Sequence, residues 1–403
     1  MNAFTQLLNL PDEEKKARGA EHTPREIAQQ PDTWRKAVEI LRAQQQPVSE
    51  FMQRAGLRGE HRSTLILSGA GTSEFIGNAV CNTLRRGLQR EVLSIPTTHL
   101  VTHAPHALLD AQSYTLLSFA RSGNSPESLA TYQMFKTVAP QAKHIFITCN
   151  KDGALAKAAQ TDDDALCILL PEETNDRSLA MTSSFSTMAF AAVGLCFIDA
   201  LDELAALAER LGAGAHRVMR EYGDTLHEFA ALPFTRASFL GADVLYGTMQ
   251  ECHLKMQEMT EGQVACRFDS FLGLRHGPQV FVNRDCVVVG ALCSEPYARR
   301  YELDMLRELK AKGQGAGTLL ICDRAFDELR RITNYIVELY PDSEPVADAY
   351  RIMTDVVAGQ ILATFKSLDI GLKPDNPSTS GTINRVVQGV RIYPYPPSPE
   401  TAS

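Results

Sequence analysis

Glu251, Lys255 and Glu258 stand at i, i+4 and i+7 in the stretch QECHLKMQEMTEGQVACRFDSFLGLRHGPQVF, Gln250 to Phe281. On a helix that spacing stacks the three side chains on one face. A glutamate kept ionised by a neighbouring lysine can act as a general base, and a histidine exchanges protons readily near neutrality. Arg275-His276-Gly277-Pro278 supplies that histidine downstream. Leu245, Met249, Cys252, Met256 and Met259 recur at steps of four and three, which predicts a helix packed along one side. On spacing alone the charged trio is more simply a solvated ladder of ion pairs, worth roughly a few tenths of a kcal/mol. His276 alone is more simply a loop histidine. The rest of the chain has to decide.

Two short polar loops suggest a ligand. Thr64-Leu-Ile-Leu-Ser-Gly69 reads as a buried strand entering Ala70-Gly71-Thr72-Ser73, after which a helix runs from Glu74 to Arg86. Thr115 to Phe119 is a second such strand, entering Arg121-Ser122-Gly123-Asn124-Ser125 before a helix that starts at Pro126. In open α/β sheets ligands bind beyond the strand carboxyl ends, and helix N-termini attract anions. The hydroxyls of Thr72, Ser73, Ser122 and Ser125, with the charge of Arg121, suit a phosphate. Neither loop is a nucleotide-binding motif, and ordinary helix capping is the plainer alternative. A phosphorylated sugar would also need what the first stretch offers: one base serving C1 and C2, and a group that opens the ring.

Both sets of residues must be carried by a scaffold. Val92 to Ile95, His144 to Thr148 and Ala165 to Leu170 complete a strand–helix alternation, which predicts a parallel sheet covered by helices on both faces. The programme then restarts. Phe239-Leu-Gly-Ala242 aligns with Leu67-Ser-Gly-Ala70 at an offset of about 172 residues, and later strands repeat near the same spacing. The expected organisation is a helical segment over 1–48, α/β domains over 49–212 and 213–370, and a tail over 371–403. Gly212 to Ala215 is taken as the junction, and Thr182 to Leu201 as one long buried helix. Thr23-Pro24-Arg25-Glu26 is a capping box, with a second helix opening at Asp32.

Composition narrows the classes. The 403 residues are 44% hydrophobic and 22% charged, with net charge −8, so nucleic acid and anionic membrane are not expected partners. The N-terminus does not resemble a signal peptide, and the longest apolar run, Met188 to Ile198, is too short to span a bilayer. Nine scattered cysteines without a C-x-x-C pair fit a reducing cytoplasm. His99, His103 and His106 invite a zinc reading, but no cysteine or acid nearby completes a ligand set.

Taken together, these motifs resemble the sugar isomerase (SIS) family, and in particular tandem-SIS enzymes such as the isomerase half of glucosamine-6-phosphate synthase. That half has an E-x-x-x-L-K-x-x-E helix and a K-H-G-P loop, matched by Glu251 to Glu258 and Arg275 to Pro278. HTPREIAQQP, LSGAGTSEFIGN, ARSGNSPES, LAMTSSFS, LRHGPQ and PDNPSTSGTINRVVQGV are similar to the AgaS-type galactosamine-6-phosphate deaminase/isomerases. The resemblance implies two flavodoxin-like domains with five-stranded parallel sheets. It implies Glu258 as the proton-shuttling base, Lys255 and Glu251 as its companions, and His276 as ring opener acting from a neighbouring subunit of a homodimer or larger homo-oligomer. It implies phosphate or substrate contacts from Gly71, Thr72, Ser73, Arg121, Ser122, Asn124, Ser125, Thr182, Ser183 and Ser184. Arg385 is the nearest match to the synthase's tail lysine. No metal or organic cofactor is called for. Relative to the synthase, Ala120 replaces a hydroxyl, Arg121 a glutamine, Gly273 an acid and Met181 a hydroxyl residue. The first cysteine is Cys81, so the N-terminal cysteine of a glutaminase domain has no counterpart. The expected direction is therefore ammonia release from galactosamine 6-phosphate to give tagatose 6-phosphate. A plain aldose–ketose isomerase, a phospho-deglycase and a non-catalytic sugar-phosphate sensor are the rivals.

Overall fold

In the computed structural model, which describes residues 1–109, 112–387 and 389–395, two parallel sheets of five strands repeat one design. The first contains β1 (Thr64–Ser68), β2 (Val92–Ser94), β3 (Tyr114–Ala120), β4 (Lys143–Thr148) and β5 (Ala165–Leu169), in the order β2-β1-β3-β4-β5. The second contains β6 (Arg236–Leu240), β7 (Ala265–Asp269), β8 (Cys286–Ala291), β9 (Gly317–Cys322) and β10 (Tyr335–Glu338), in the order β7-β6-β8-β9-β10. Register is repeated too: Thr64 pairs with Tyr114 in one sheet and Arg236 with Cys286 in the other. Every residue of β3 and of β8 is buried, as a central parallel strand covered on both faces requires. Strand order reverses between β1 and β3, so their carboxyl-end loops flank the crevice where such sheets bind ligands.

The repeats meet through the helices that follow their first strands, Thr72–Leu88 and Val244–Met259. These run antiparallel: Asn78 bonds Gln250 at 2.9 Å and Asn82 bonds Asp243, while Thr72 reaches the far end of its partner. Gly247 makes the crossing possible, since a Cβ there would lie 2.4 Å from the Ala79 backbone nitrogen. The helix Asp348–Asp369, buried from Arg351 to Ser367, packs beside them.

Three local expectations change. The buried helix begins at Ser183 and ends at Gly194, short of Leu201, where the chain passes into a 3-10 segment over Leu195–Phe197. The expected junction at 212/213 falls inside one continuous helix, Leu201–Glu221. Its glycines serve packing: a Cβ on Gly214 would meet Tyr340 and Thr354 at 2.9 Å. The Thr23–Glu26 capping box does not form. Thr23 and Glu26 both bond Ser178, and the Asp375 carboxylate caps the helix by accepting from the N–H groups of Glu21, His22 and Thr23. The next helix starts at Gln30 with Pro31 in its first turn. It buries Trp34, whose indole N–H donates to Ser186 at 3.0 Å. No helix among the described residues is long and apolar enough to cross a membrane.

Candidate active site

The helix Val244–Met259 buries Met249, Cys252, Met256 and Met259 completely, so the apolar stripe does face the core. The charged face is buried too. Glu251 and Lys255 are both 0% exposed, which rules out the solvated ladder, whereas the Glu258 side chain keeps 23% of its surface. Lys255 Nζ lies 2.5 Å from Glu258 Oε2, 3.3 Å from Glu251 Oε1 and 3.0 Å from Thr72 Oγ1. Thr72 in turn donates to Glu251 at 3.3 Å. The first loop of one repeat thus closes onto the charged helix of the other. Burial, reinforced by the charge of Glu258, pushes Glu251 up to about 8 despite the nearby ammonium. Burial opposes the charge on Lys255, but the two carboxylates outweigh it and its pKa rises. Glu258 is the carboxylate of the trio that opens to solvent, which suits a group that must reach a substrate.

Around Thr72 and Ser73 the geometry suits an anion. Gly71 has φ 57° and ψ −127°, and the helix beginning at Thr72 carries no side-chain cap, so its positive end is open. Arg121, from the loop after β3, is buried and has no ion-pair partner among the described residues. It donates instead to the carbonyls of Ser178 at 3.3 Å, Leu179 at 3.2 Å and Arg385. Burial and then Arg385 lower its pKa, while Asp176 and Glu258 draw it back up. Among the described residues the Ser122 hydroxyl accepts only from Asn124 N, at 3.3 Å. Asn124 caps Ala154 and Ser125 donates to Glu127, so both are committed to shaping their loop.

Thr182, Ser183 and Ser184 are not three free hydroxyls. The carboxylate of Asp176 accepts from both serine hydroxyls, at 2.5 and 2.6 Å, and from the N–H groups of Thr182 and Ser184. Of the three, only the buried Thr182 hydroxyl lacks a partner among the described residues. Arg385 also spends its guanidinium on the chain, donating to the carbonyls of Asn175 and Asp176 and to the Asn175 side chain. Asp176 organises this wall and was not foreseen, because a lone Asp seven residues before a helix start carries no local signature.

His276 is exposed, beyond β7 and the short helix Phe271–Leu274. Within one chain it does not meet Glu258. The helix Val244–Met259 leaves the carboxyl edge of its sheet and carries Glu258 to the opposite edge, while β7 returns the chain to the first edge. Sixteen helical residues separate those edges by roughly 20 Å. At Gly273, where the synthase has an acid, a Cβ would sit 2.2 Å from the Asp269 carboxylate, so any side chain there would have to displace Asp269. His103 and His106 lie with rings 5.5 Å apart, and no group of three metal-ligating side chains gathers among the described residues.

A family model for the SIS domain matches residues 60–196, the stretch that contains the first sheet. The chain is 36% identical over 382 residues to the D-galactosamine-6-phosphate deaminase AgaS of Escherichia coli, covering 93% of this chain and 96% of that one. To the protein of the same name from Shewanella sp. (strain ANA-3) it is 34% identical over 381 residues, 94% of this chain and 93% of the other. The crystal structure of tagatose-6-phosphate ketose/aldose isomerase from Escherichia coli superimposes with TM-score 0.83 at 32% identity, covering 93% of this chain and 96% of that one. The C-terminal domain of glucosamine-fructose-6-phosphate aminotransferase from Francisella tularensis shares the fold, with TM-score 0.70 at 14% identity over 88% of this chain and 98% of that domain.

Proposed function

The chain belongs to the SIS-domain family, and we propose that it converts galactosamine 6-phosphate and water into tagatose 6-phosphate and ammonia. The observation that carries this reading is Lys255, fully buried and bridging Glu258, Glu251 and the Thr72 hydroxyl. It joins a proton-transfer base to an anion-ready loop, and the 36% identical deaminase supports the choice of substrate. The phosphate sits on the open helix end at Gly71, Thr72 and Ser73, with Arg121 beside it. Glu258 removes the C2 proton of the open-chain aldehyde to give an enolamine, and returns it to C1 to leave an imine at C2. Lys255 steadies the oxygen on C1 while its charge develops. Water then adds to the imine carbon, ammonia departs, and the ketose phosphate remains. Counted over the whole reaction this is a deaminating hydrolase acting through an isomerase step. His276 opens the sugar ring from a second copy of the chain, which makes a homodimer the smallest complete unit.

A second reading, ketose/aldose interconversion without loss of nitrogen, draws support from the tagatose-6-phosphate isomerase structure at 32% identity. It uses the same base and the same phosphate loop. Ammonia release separates the two. Purified protein incubated with galactosamine 6-phosphate and glucosamine 6-phosphate is expected to release ammonia, faster from the galacto epimer. Ketose formed from a neutral aldose phosphate, with no ammonia from either amino sugar, would replace the deaminase reading with the isomerase one.

A further inference from the structure

A buried guanidinium without a carboxylate partner is placed by whatever holds its hydrogen bonds. For Arg121 that is a set of backbone carbonyls, two of them from Ser178 and Leu179. Residues 175–182 form neither helix nor strand, so their carbonyls point where side-chain ties direct them. The N-terminal helix Thr23–Ala28 supplies those ties. Glu26, 6% exposed, accepts from Ser178 Oγ at 2.5 Å, Arg177 N at 2.5 Å and Ser178 N at 3.3 Å. Thr23 donates to the same Ser178 hydroxyl at 2.9 Å. From the tail, the Asp375 carbonyl accepts from Leu179 N at 2.9 Å while its carboxylate caps the helix that carries Glu26.

We propose that Glu26 is a positioning residue for substrate binding: through Ser178 it fixes the two carbonyls that aim Arg121, and Asp375 locks the same segment from the other side. The N-terminal helices, which lie outside both sheets, thereby become part of the phosphate site. A misplaced guanidinium weakens binding of the phosphate in ground and transition states alike, so the effect falls on KM rather than on kcat. This inference rests on the phosphate role of Arg121 in the function proposed above.

The test uses the full chain. Glu26→Ala is expected to raise KM for galactosamine 6-phosphate about tenfold with kcat changed less than about threefold. Glu26→Gln keeps an acceptor oxygen for Ser178 and should bring KM back to within about threefold of wild type. In an Arg121→Ala background, Glu26→Ala should add no further loss, because its effect passes through the arginine. Independent, multiplying losses, or a folded Glu26→Ala protein with wild-type KM, overturn the proposal. Should Glu26→Ala not fold by circular dichroism, Ser178→Ala removes only the shared hydroxyl and is held to the same KM criterion. Amide hydrogen exchange over 176–182 is read on the same proteins and needs no turnover. If the wild-type chain releases no ammonia from any hexosamine 6-phosphate, the substrate reading fails by itself. The buttress is then judged by exchange: faster in Glu26→Ala but not in Glu26→Gln supports it, and no change overturns it.

Discussion

The two repeats share strand order and register but differ at every loop where chemistry could occur. Gly71-Thr72-Ser73 follows β1, whereas Asp243-Val244-Leu245 follows β6 at the corresponding place. The backbone is the same: Gly71 has φ 57° and ψ −127°, Asp243 φ 52° and ψ −124°. A glycine adopts that conformation freely, while an aspartate bears a cost of about 1–3 kcal/mol, here set against the bond its carboxylate accepts from Asn82. The hydroxyls are gone, replaced by two buried aliphatics. After β3 the next helix starts at Pro126 with no side-chain cap, but after β8 the Glu295 carboxylate fills the helix end, accepting from Tyr297 N at 3.0 Å and Ala298 N at 2.7 Å. Asp348 and Glu302 take the N–H groups of Ser294 and Cys293 in the same loop. In the second repeat, carboxylates of the chain itself occupy the N–H groups at this loop. In return, the positions matching Glu251, Lys255 and Glu258 in the first repeat are Ala79, Thr83 and Arg86. Under the proposed function the two repeats divide the labour on one scaffold: one half binds, the other supplies the base.

That division can be broken most sharply at its base. Glu258→Gln is expected to lower kcat about a thousandfold or more while sugar phosphate still binds; near-normal turnover would remove the second repeat's helix from the chemistry. Lys255→Met strips the buried Glu251 and the partly exposed Glu258 of the cation they share, so unfolding in urea should show a loss of about 3 kcal/mol along with most activity. Thr72→Val should raise KM about tenfold, whereas Val244→Thr, the reciprocal change, should leave KM where it was. An equal response at the two positions would erase the distinction between the loops. Glu251 sharpens the contrast through pH. Its pKa rises from an ordinary 4.5 to about 8, so over that window the folded state holds a proton that the unfolded chain has lost. Its contribution to stability is therefore greatest below the lower value and declines as pH rises toward the upper one. Melting temperature against pH should show that decline in wild type, and Glu251→Gln should flatten it. The smallest effect is Glu295→Ala, expected to lower the melting temperature only slightly through the lost helix cap with kcat/KM unchanged.

Much of this was legible because it is local or periodic. The repeat showed itself as a constant offset, and the i, i+3 spacing of Lys255 and Glu258 placed them together before any coordinates did. What escaped was competition between distant side chains for the same donors. Thr23 and Glu26 satisfy every local rule for a capping box, yet Ser178 draws both away and Asp375 caps in their stead. Ser183 and Ser184 looked available because nothing near them in the chain announces that Asp176 will claim both hydroxyls. Gly212 to Ala215 reads as a junction because glycine marks both turns and tight helix contacts, and for Gly214 only Tyr340 and Thr354, far along the chain, decide which.

Glu258 and His276 sit at opposite edges of one domain, and this has a genetic consequence. In the proposed dimer, a chain lacking its base and a chain lacking its histidine fail for different reasons. Paired, they concentrate both defects in one site and leave the other intact. Two dead proteins mixed and allowed to exchange subunits should therefore recover roughly a quarter of wild-type activity, from random assortment around a two-fold axis.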